Sequence, residues 1–230
     1  DRNALISEIL GGWGASANSA IPRGLGNESE VSSSASEPSS PTASSSASAL
    51  EVVKTPEEIV PATSFVEAGR KILEGKGWKL GEDNVYTRQT KTAEKTTNER
   101  LSFSISTSNV PELKRTAELL RDAWTTLGAE VKIEIFEPSD LTQKVIRPRK
   151  YDSLLFGNVI GRDLDLYPFW HSSQRNDPGL NIALYTNLKA DKALETIRNS
   201  SDDEKRLTAF RAFDTEIRTV VPAIFLYSPD

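Results

Sequence analysis

The sequence contains no cysteine and no methionine, and it has a single histidine, His171. The absence of cysteine excludes disulfide bonds and every metal site that depends on thiolate ligands. No run of apolar residues approaches the ~20 that a membrane-spanning helix needs. Because the chain does not begin with methionine, we expect it to start inside a longer gene product or after processing.

A concentration of basic charge is also missing. The chain has 28 basic and 33 acidic residues, which gives a formal net charge of −5. Because nucleic-acid binding needs a basic face that neutralises phosphates, the sequence predicts no DNA or RNA partner. Apolar residues make up 37% of the chain, which is low for a wholly globular protein, and the deficit is local.

The deficit lies in residues 27–60, where serine, alanine, proline and glutamate dominate. Such a composition buries too little apolar surface to offset the conformational entropy of the chain. It predicts a disordered, serine-rich insertion or linker, and a modified or wall-spanning stalk is the functional alternative. The chain therefore divides into residues 1–26, the insertion at 27–60 and residues 61–230.

Apolar periodicity predicts helices on both sides of this insertion. Residues 1–14 form a short helix that ends at a pair of glycines, and residues 64–77 form a second helix that also ends at glycine. Residues 78–86 then indicate two short strands around a turn. The following residues, 88–100, are charged and rich in threonine, so the sequence predicts a loop there.

The best-defined unit is a series of three strands separated by two helices. Its elements are, in order, a strand at 101–107, a helix between Asn109 and Gly128, a strand at 131–135, a helix at 140–146 and a strand at 152–157. Asn109 and Ser139 are the predicted N-caps of the two helices. A βαβαβ series predicts an α/β fold in which helices flank a mainly parallel sheet with right-handed crossovers.

Two further helices and a final strand are predicted after the sheet. One helix spans 188–198, and the other spans about 203–220 after a capping box at 201–204. The apolar run 223–227 predicts a buried strand close to the end of the chain. Because a core strand there has no tail after it, we expect the natural protein to continue.

Candidate ligand-binding residues follow from the predicted sheet, since ligands of parallel α/β sheets lie beyond the carboxyl ends of the strands. Three segments lie at those ends: 107–109, 137–139 and 157–158. The last one lies within 151–187, where an apolar run gives way to aromatic and hydrogen-bonding residues. The candidates are Thr107, Asn109, Asn158, Asp163, Asp165, Tyr167, Trp170, His171 and Ser172.

Several of these residues also have a purely structural explanation. Asp163 and Asp165 either attract a cationic group or cap a short helix that starts at Tyr167. Tyr167 and Trp170 either stack on a ligand or fill the core, and the core is the default for large aromatic side chains.

His171 lies near carboxylates and Ser172, a combination that also occurs in hydrolases and metal sites. A catalytic triad needs a nucleophile, a base and an orienting group at fixed geometry, and all the candidates here cluster on one loop. The paired or helical spacing of metal ligands is missing as well. We therefore predict no catalytic residue, no metal and no cofactor, and a packed or capping role for His171.

Several short motifs occur together in a fairly specific order. They are DRNALI (1–6), GGWG (11–14), IP (21–22), LEGKGW (73–78), PEL (111–113), LGAEV (127–131), EPSDL (137–141), DLDLYPFWHSS (163–173) and VPAIFLY (221–227). With these motifs the chain resembles the C-terminal lobe of the family 5 extracellular solute-binding proteins. Those proteins are the receptors of peptide, oligopeptide and nickel ABC importers. The resemblance covers most of the chain outside the serine-rich insertion.

The resemblance implies a type II periplasmic-binding-protein-like lobe that holds a peptide or similar solute against a second, N-terminal lobe. That lobe, with any signal peptide and lipid anchor, is missing from this sequence. The implied protein is not an enzyme, lies in the periplasm or otherwise outside the cytoplasm, and delivers its ligand to ABC permease subunits. The alternative is a scaffold or interaction module derived from such a lobe, with the serine-rich segment as a tether.

Two departures from the family pattern bear on the ligand. The family often has Asp-Pro-Asp where this chain has Asp163-Leu164-Asp165. In oligopeptide-binding members, an acid that holds the amino terminus of the ligand lies about three positions earlier, where this chain has Ile160. The resemblance therefore does not imply a ligand with a free amine at this point.

Overall fold

A computed structural model describes residues 2–21, 62–91, 96–161 and 164–229. The insertion predicted at 27–60 and the candidate residue Asp163 lie outside these ranges. The helices are α1 (Arg2–Leu10), α2 (Ala62–Gly75), α3 (Pro111–Leu127), α4 (Pro138–Asp140), α5 (Tyr167–Trp170), α6 (Leu188–Asn199) and α7 (Asp203–Val220). A π-helix (Leu141–Ile146) continues α4, and a 3₁₀ turn (Ser172–Gln174) follows α5.

The strands form three small sheets. They are β1 (Ala15–Ser16), β2 (Lys79–Leu80), β3 (Tyr86–Lys91), β4 (Thr96–Arg100), β5 (Ser102–Ser108), β6 (Glu130–Phe136), β7 (Ser153–Leu154) and β8 (Tyr227–Ser228). β1 pairs with β8, and β2, β3 and β4 form an antiparallel sheet in chain order. The third sheet has the order β6-β5-β7.

The β6-β5-β7 sheet is parallel and confirms the predicted α/β fold. β5 pairs with β6 over its whole length, from Ser102 opposite Glu130 to Ser108 opposite Phe136. β7 pairs with the other side of β5 over two residues. The alternation of apolar residues along β5 and β6 thus marked true strands, since each presents one face to a helix.

Each face of this sheet is covered by one of the intervening helices. On one face, Phe103 of β5 meets Trp124 of α3 edge to face, with ring centroids 5.6 Å apart. On the other, the π-helix buries Leu141, Val145 and Ile146 against side chains that include Leu154. The connection through α3 places β6 on one side of β5, and the connection through α4 and the π-helix places β7 on the other side.

A second core forms around the antiparallel pair α6 and α7. Its centre is Phe213, which is fully buried beside Trp170 with ring centroids 6.3 Å apart. Asn187 caps α6 by accepting hydrogen bonds from the next turn, and Asp202 does the same for α7. Most positions of the predicted apolar faces are buried here: Ala190, Leu194, Ile197, Phe210, Phe213 and Ile217. Leu207 and Val220, which the sequence also predicts on the buried face of α7, are instead 37% and 53% exposed.

The prediction of a loop at 88–100 is wrong, because β3 and β4 pair with each other there. Charged and polar side chains stand on an exposed sheet without a large apolar face, so alternation was not visible in the sequence. The pair is stabilised across the strands, where Arg88 binds Glu99 with an N–O distance of 2.6 Å. This hydrogen-bonded guanidinium holds the pKa of Glu99 below its ordinary value.

The helix caps predicted at Asn109, Ser139 and Ser201 are also wrong. Pro111 and Pro138 occupy the first helical positions, and a residue before proline is driven to extended backbone. The N-caps are therefore Val110 and Glu137, with no side-chain cap, while the N-cap of α7 is Asp202.

The predicted final strand at 223–227 is shorter than expected and displaced. Only Tyr227 and Ser228 form β8, opposite β1, and the preceding residues have no strand pairing. Ile224 is exposed, while Phe225 packs on Trp170. The apolar run thus reflects packing on the second core rather than a ladder.

Replacing Phe213 by alanine should lower the free energy of unfolding by about 3–5 kcal/mol, because a fully buried ring leaves a cavity. Urea denaturation of the chain followed by circular dichroism measures this. Phe65 is the matched control, since 57% of its surface is exposed on α2, and Phe65→Ala should cost less than about 1 kcal/mol. Equal losses for the two variants would contradict this description of the core.

Asp152 gives the sheet a pH-dependent contact. Its carboxylate accepts hydrogen bonds from the backbone N–H of Ser104 at 2.9 Å and from the Ser104 hydroxyl at 3.0 Å, which lower its pKa. A lowered folded-state pKa stabilises the fold above the unfolded pKa, and this contribution is lost as the pH falls through the folded pKa. Asp152→Asn should therefore flatten the loss of stability below about pH 4.

Urea denaturation between neutral and acidic pH measures this change. Ser104→Ala keeps the backbone donor and removes the hydroxyl, so its pH dependence should lie between those of the wild type and Asp152→Asn. An identical acid limb in all three proteins would exclude this contact as a source of pH dependence.

Candidate functional site

The carboxyl ends of the three parallel strands lie together and are tied by hydrogen bonds. The hydroxyl of Thr107, at the end of β5, donates to the carbonyl of Leu155 at 3.0 Å, beyond β7. The backbone N–H of Asn109 donates to Phe136 at 2.7 Å, and its side-chain amide donates to Glu137 at 2.8 Å. The predicted common edge of segments 107–109, 137–139 and 157–158 is thus present in the structure.

Residues 155–161, which we call the rim segment, continue the chain beyond β7 at this edge. They contain no helix, turn, bend or strand. Among the described residues, no hydrogen bond links Phe156, Asn158, Val159 or Ile160 to another group. Phe156 is 45% exposed and Val159 is 92% exposed. The rim segment therefore presents exposed apolar side chains at Phe156 and Val159, beside backbone groups that have no partner among the described residues.

A polar cluster follows the rim segment and occupies several of the predicted residues. The backbone N–H of Tyr167 donates to Asp165 at 3.2 Å, so Asp165 holds the first turn of α5. Asp165 also pairs with Arg198 of α6, whose guanidinium lies 4.0 Å from the ring centroid of Tyr167. The other face of Tyr167 stacks on His171 at 4.0 Å. Asp165 therefore binds the start of α5, as the structural explanation predicts, and the cation it pairs with belongs to the protein, while attraction of a ligand cation stays a prediction.

His171 is buried and caps the 3₁₀ turn, as the sequence predicted. Its Nδ1 accepts the backbone N–H of Ser173 at 3.1 Å, and its Nε2 faces Glu195 at 3.5 Å. Ser172 donates its backbone N–H and its hydroxyl to Asp191 of α6, at 2.9 and 2.7 Å. Within the described ranges, no group of three histidine, aspartate or glutamate side chains is arranged to hold a metal ion.

Trp170 belongs to the second core rather than to an open surface. Only 6% of it is exposed, and its ring contacts Tyr185, Phe213 and Phe225. Burial also raises the pKa of the Tyr185 phenol above its ordinary value. Trp170 therefore anchors the loop that carries His171 and Ser172.

Asn181 organises the loop 170–185 and was not singled out in the sequence. It is fully buried, and its amide nitrogen lies within 3.2 Å of the carbonyls of Trp170, His171 and Tyr185. Its side-chain oxygen accepts the backbone N–H of Tyr185 at 3.1 Å. The sequence did contain a signal for it, because Asn181 is a single polar residue inside an apolar run, 180–184. If such a run is buried, its polar side chain must be hydrogen-bonded.

The predicted site residues thus divide into two groups, apart from Asp163. Thr107, Asn109 and Asn158 lie at the edge of the sheet, and Asn158 is exposed there. Asp165, Tyr167, Trp170, His171 and Ser172 make their described contacts with α6, α7 and their own loop. Ligand contact by either group stays a prediction.

Comparison with known proteins gives one family. A sequence profile described as bacterial extracellular solute-binding proteins, family 5 Middle, matches residues 1–179. Protein XP55 of Streptomyces lividans is 32% identical over 149 residues, which cover 63% of this chain and 25% of that protein. None of the helices within the described ranges has the length and hydropathy needed to cross a bilayer.

Solved structures share the fold over the whole chain. The oligopeptide-binding protein AppA of Bacillus subtilis, in complex with a nonapeptide, is 22% identical with a TM-score of 0.74. NikZ of Campylobacter jejuni, in complex with Ni(L-His), is 21% identical with a TM-score of 0.71. In both comparisons all of this chain aligns with 39% of the other, so it spans about two fifths of these proteins.

Replacing Asn181 by leucine should lower the free energy of unfolding by about 3 kcal/mol or more, because buried carbonyls and an N–H lose their partners. Thermal denaturation of the chain measures the loss. Asn176→Leu is the control, since Asn176 is exposed in the same loop, and its effect should stay within about 0.5 kcal/mol. A neutral Asn181→Leu substitution would show that the loop is held by other contacts.

Proposed function

The chain belongs to family 5 of the bacterial extracellular solute-binding proteins, and from this membership we propose that it forms one lobe of a peptide receptor of an ABC-type importer. The family is one of extracytoplasmic binding proteins rather than enzymes. A peptide would lie between this lobe and a second lobe of the same protein. The two-lobed protein would then pass the peptide to permease subunits.

The rim segment is the observation that carries this proposal. It leaves the carboxyl edge of a parallel sheet, where ligands of such folds are held. Its backbone runs without turn or bend, and Phe156–Ile160 make no hydrogen bond within the described part of the chain. An extended peptide can satisfy such groups by adding alongside them as a strand, with its own backbone as donor and acceptor. AppA, which shares the fold, was solved with a bound nonapeptide.

The neighbouring side chains have different roles in this arrangement. Asn158 is exposed on the rim segment, so we assign it a direct hydrogen bond to the ligand. Thr107 and Asn109 already donate to Leu155 and Glu137, and their role is to hold the strand ends in place. Asp165 and the residues after it fix the far end of the rim segment on α6.

The one-lobe assignment is supported by the pairing within the described chain. β1 lies in residues 1–26 and pairs with β8 at the other end, with Ala15 opposite Ser228. This contact supports grouping 1–26 with 61–230 as one structural unit that the segment 27–60 interrupts. The chain also spans only 39% of the AppA chain. Half a cleft offers fewer contacts against the same cost of association, so affinity should be low.

We therefore expect this chain to bind a short uncharged peptide weakly, with a Kd of about 1 mM. Titration of the isotope-labelled chain, followed by NMR chemical shifts, measures this. The shifts should concentrate in the rim segment and in residues 107–109. The exposed residues of α2 serve as the internal control and should not move.

Two outcomes would contradict the proposal in different ways. If several millimolar of each of a panel of peptides leaves the rim segment unshifted, peptide binding is excluded at this site. If the chain alone binds a peptide with submicromolar affinity, the site is complete and the one-lobe assignment is wrong.

A further inference from the structure

We propose that the rim segment selects an uncharged, apolar stretch of its peptide, an inference that rests on the proposed function. The ligand at this point would be an extended main chain that carries aliphatic or aromatic side chains. An ionised side chain or a free terminus would be disfavoured there.

The side chains of the rim segment are the first reason. The segment reads Leu-Phe-Gly-Asn-Val-Ile-Gly and contains no ionisable residue. Val159 and Phe156 expose large apolar surfaces although both lie between well-packed elements. An apolar ligand side chain that covers them removes apolar surface from water on both molecules, which is favourable.

The charges around the segment are the second reason. Among the described residues at the three strand ends (107–109, 137–139 and 155–161), Glu137 is the one ionisable side chain. It is already bound by Asn109, and it follows β6, which β5 separates from β7. Two strand spacings place it roughly 10 Å from the rim segment. Among the described strand-end residues, a ligand charge at the rim would therefore find no free partner to offset its lost hydration.

The space at Gly157 is the third reason. A side-chain carbon built at Gly157 would meet no atom within 4 Å, so the backbone there is open to solvent. The open side of a glycine lets another backbone approach closely. A peptide can therefore pair with the main chain at Gly157 while its side chains reach the exposed faces of Phe156 and Val159.

Three blocked tripeptides test this preference in the NMR titration of the same chain. Each is acetylated and amidated, with alanine at both ends and valine, lysine or glutamate at the centre. The valine peptide should bind the rim segment about tenfold more tightly than the two charged peptides. Because the termini are blocked in all three, the difference reports the central side chain alone.

A charge substitution at the rim sharpens the test. Val159→Asp supplies the missing carboxylate, so the lysine peptide should gain affinity and the valine peptide should lose it. Val159 is 92% exposed, so the fold should tolerate the change, and amide spectra check this. Val220→Asp is the matched control, since this valine is 53% exposed on α7, and it should leave all three affinities unchanged.

Each alternative outcome overturns a defined statement. If the three peptides bind the rim segment with equal affinity, the proposed function stands and the apolar preference is refuted. If no peptide shifts the rim segment, the proposed function falls and this inference falls with it. If sedimentation shows that the wild-type chain dimerises and Val159→Asp does not, a second copy covers this surface, and the peptide preference is refuted.

Discussion

The parallel pairing of β5 with β6 on one side and β7 on the other is the constraint on which the site depends. It sends all three strands in one direction, so the segments after them meet at one edge. Side chains then lock this edge, through Thr107 to the chain after β7 and through Asn109 to the chain after β6. An antiparallel β7 would deliver the rim segment to the opposite edge, away from both contacts. Since β7 pairs with β5 over only two residues, the Thr107 bond to Leu155 extends the contact that holds it in place.

The rim segment is held at its ends, and between them its backbone has no hydrogen-bond partner within the described ranges. At one end, the N–H of Leu155 donates to Ser106 at 3.0 Å. At the other, Leu166 is fully buried in the second core, and Asp165 is paired with α6. Asn181 makes that second anchor rigid, because it ties the carbonyls of the loop that follows α5. The segment is therefore anchored on both sides, while its own glycines at 157 and 161 keep the stretch between the anchors easy to deform.

The sequence predicted the parts of the fold that apolar periodicity controls. The βαβαβ unit, the face of α6 and the central part of the face of α7 were predicted correctly, since each buries a regular stripe, whereas Leu207 and Val220 near the two ends of α7 are exposed. The hairpin of β3 and β4 was missed because exposed strands held by pairs such as Arg88–Glu99 show no such stripe. The N-caps of α3 and α4 were placed wrongly because proline at the first helical position, not a polar side chain, determined them. Asn181 could not be assigned, because its partners are backbone carbonyls that only the folded loop brings together.

An exposed apolar segment with unpaired backbone is also a hazard, because it can pair with other chains. Two features of the rim segment reduce this hazard. It is short, and the glycines at 157 and 161 disfavour a persistent strand, since glycine loses the most conformational freedom when it is ordered. Under the proposed function, the same glycines weaken pairing with a peptide, so the chain alone should hold a peptide only transiently. In the proposed two-lobe arrangement, weak pairing on each side of a cleft would suit release of the peptide, because opening the cleft would remove most of the binding free energy at once.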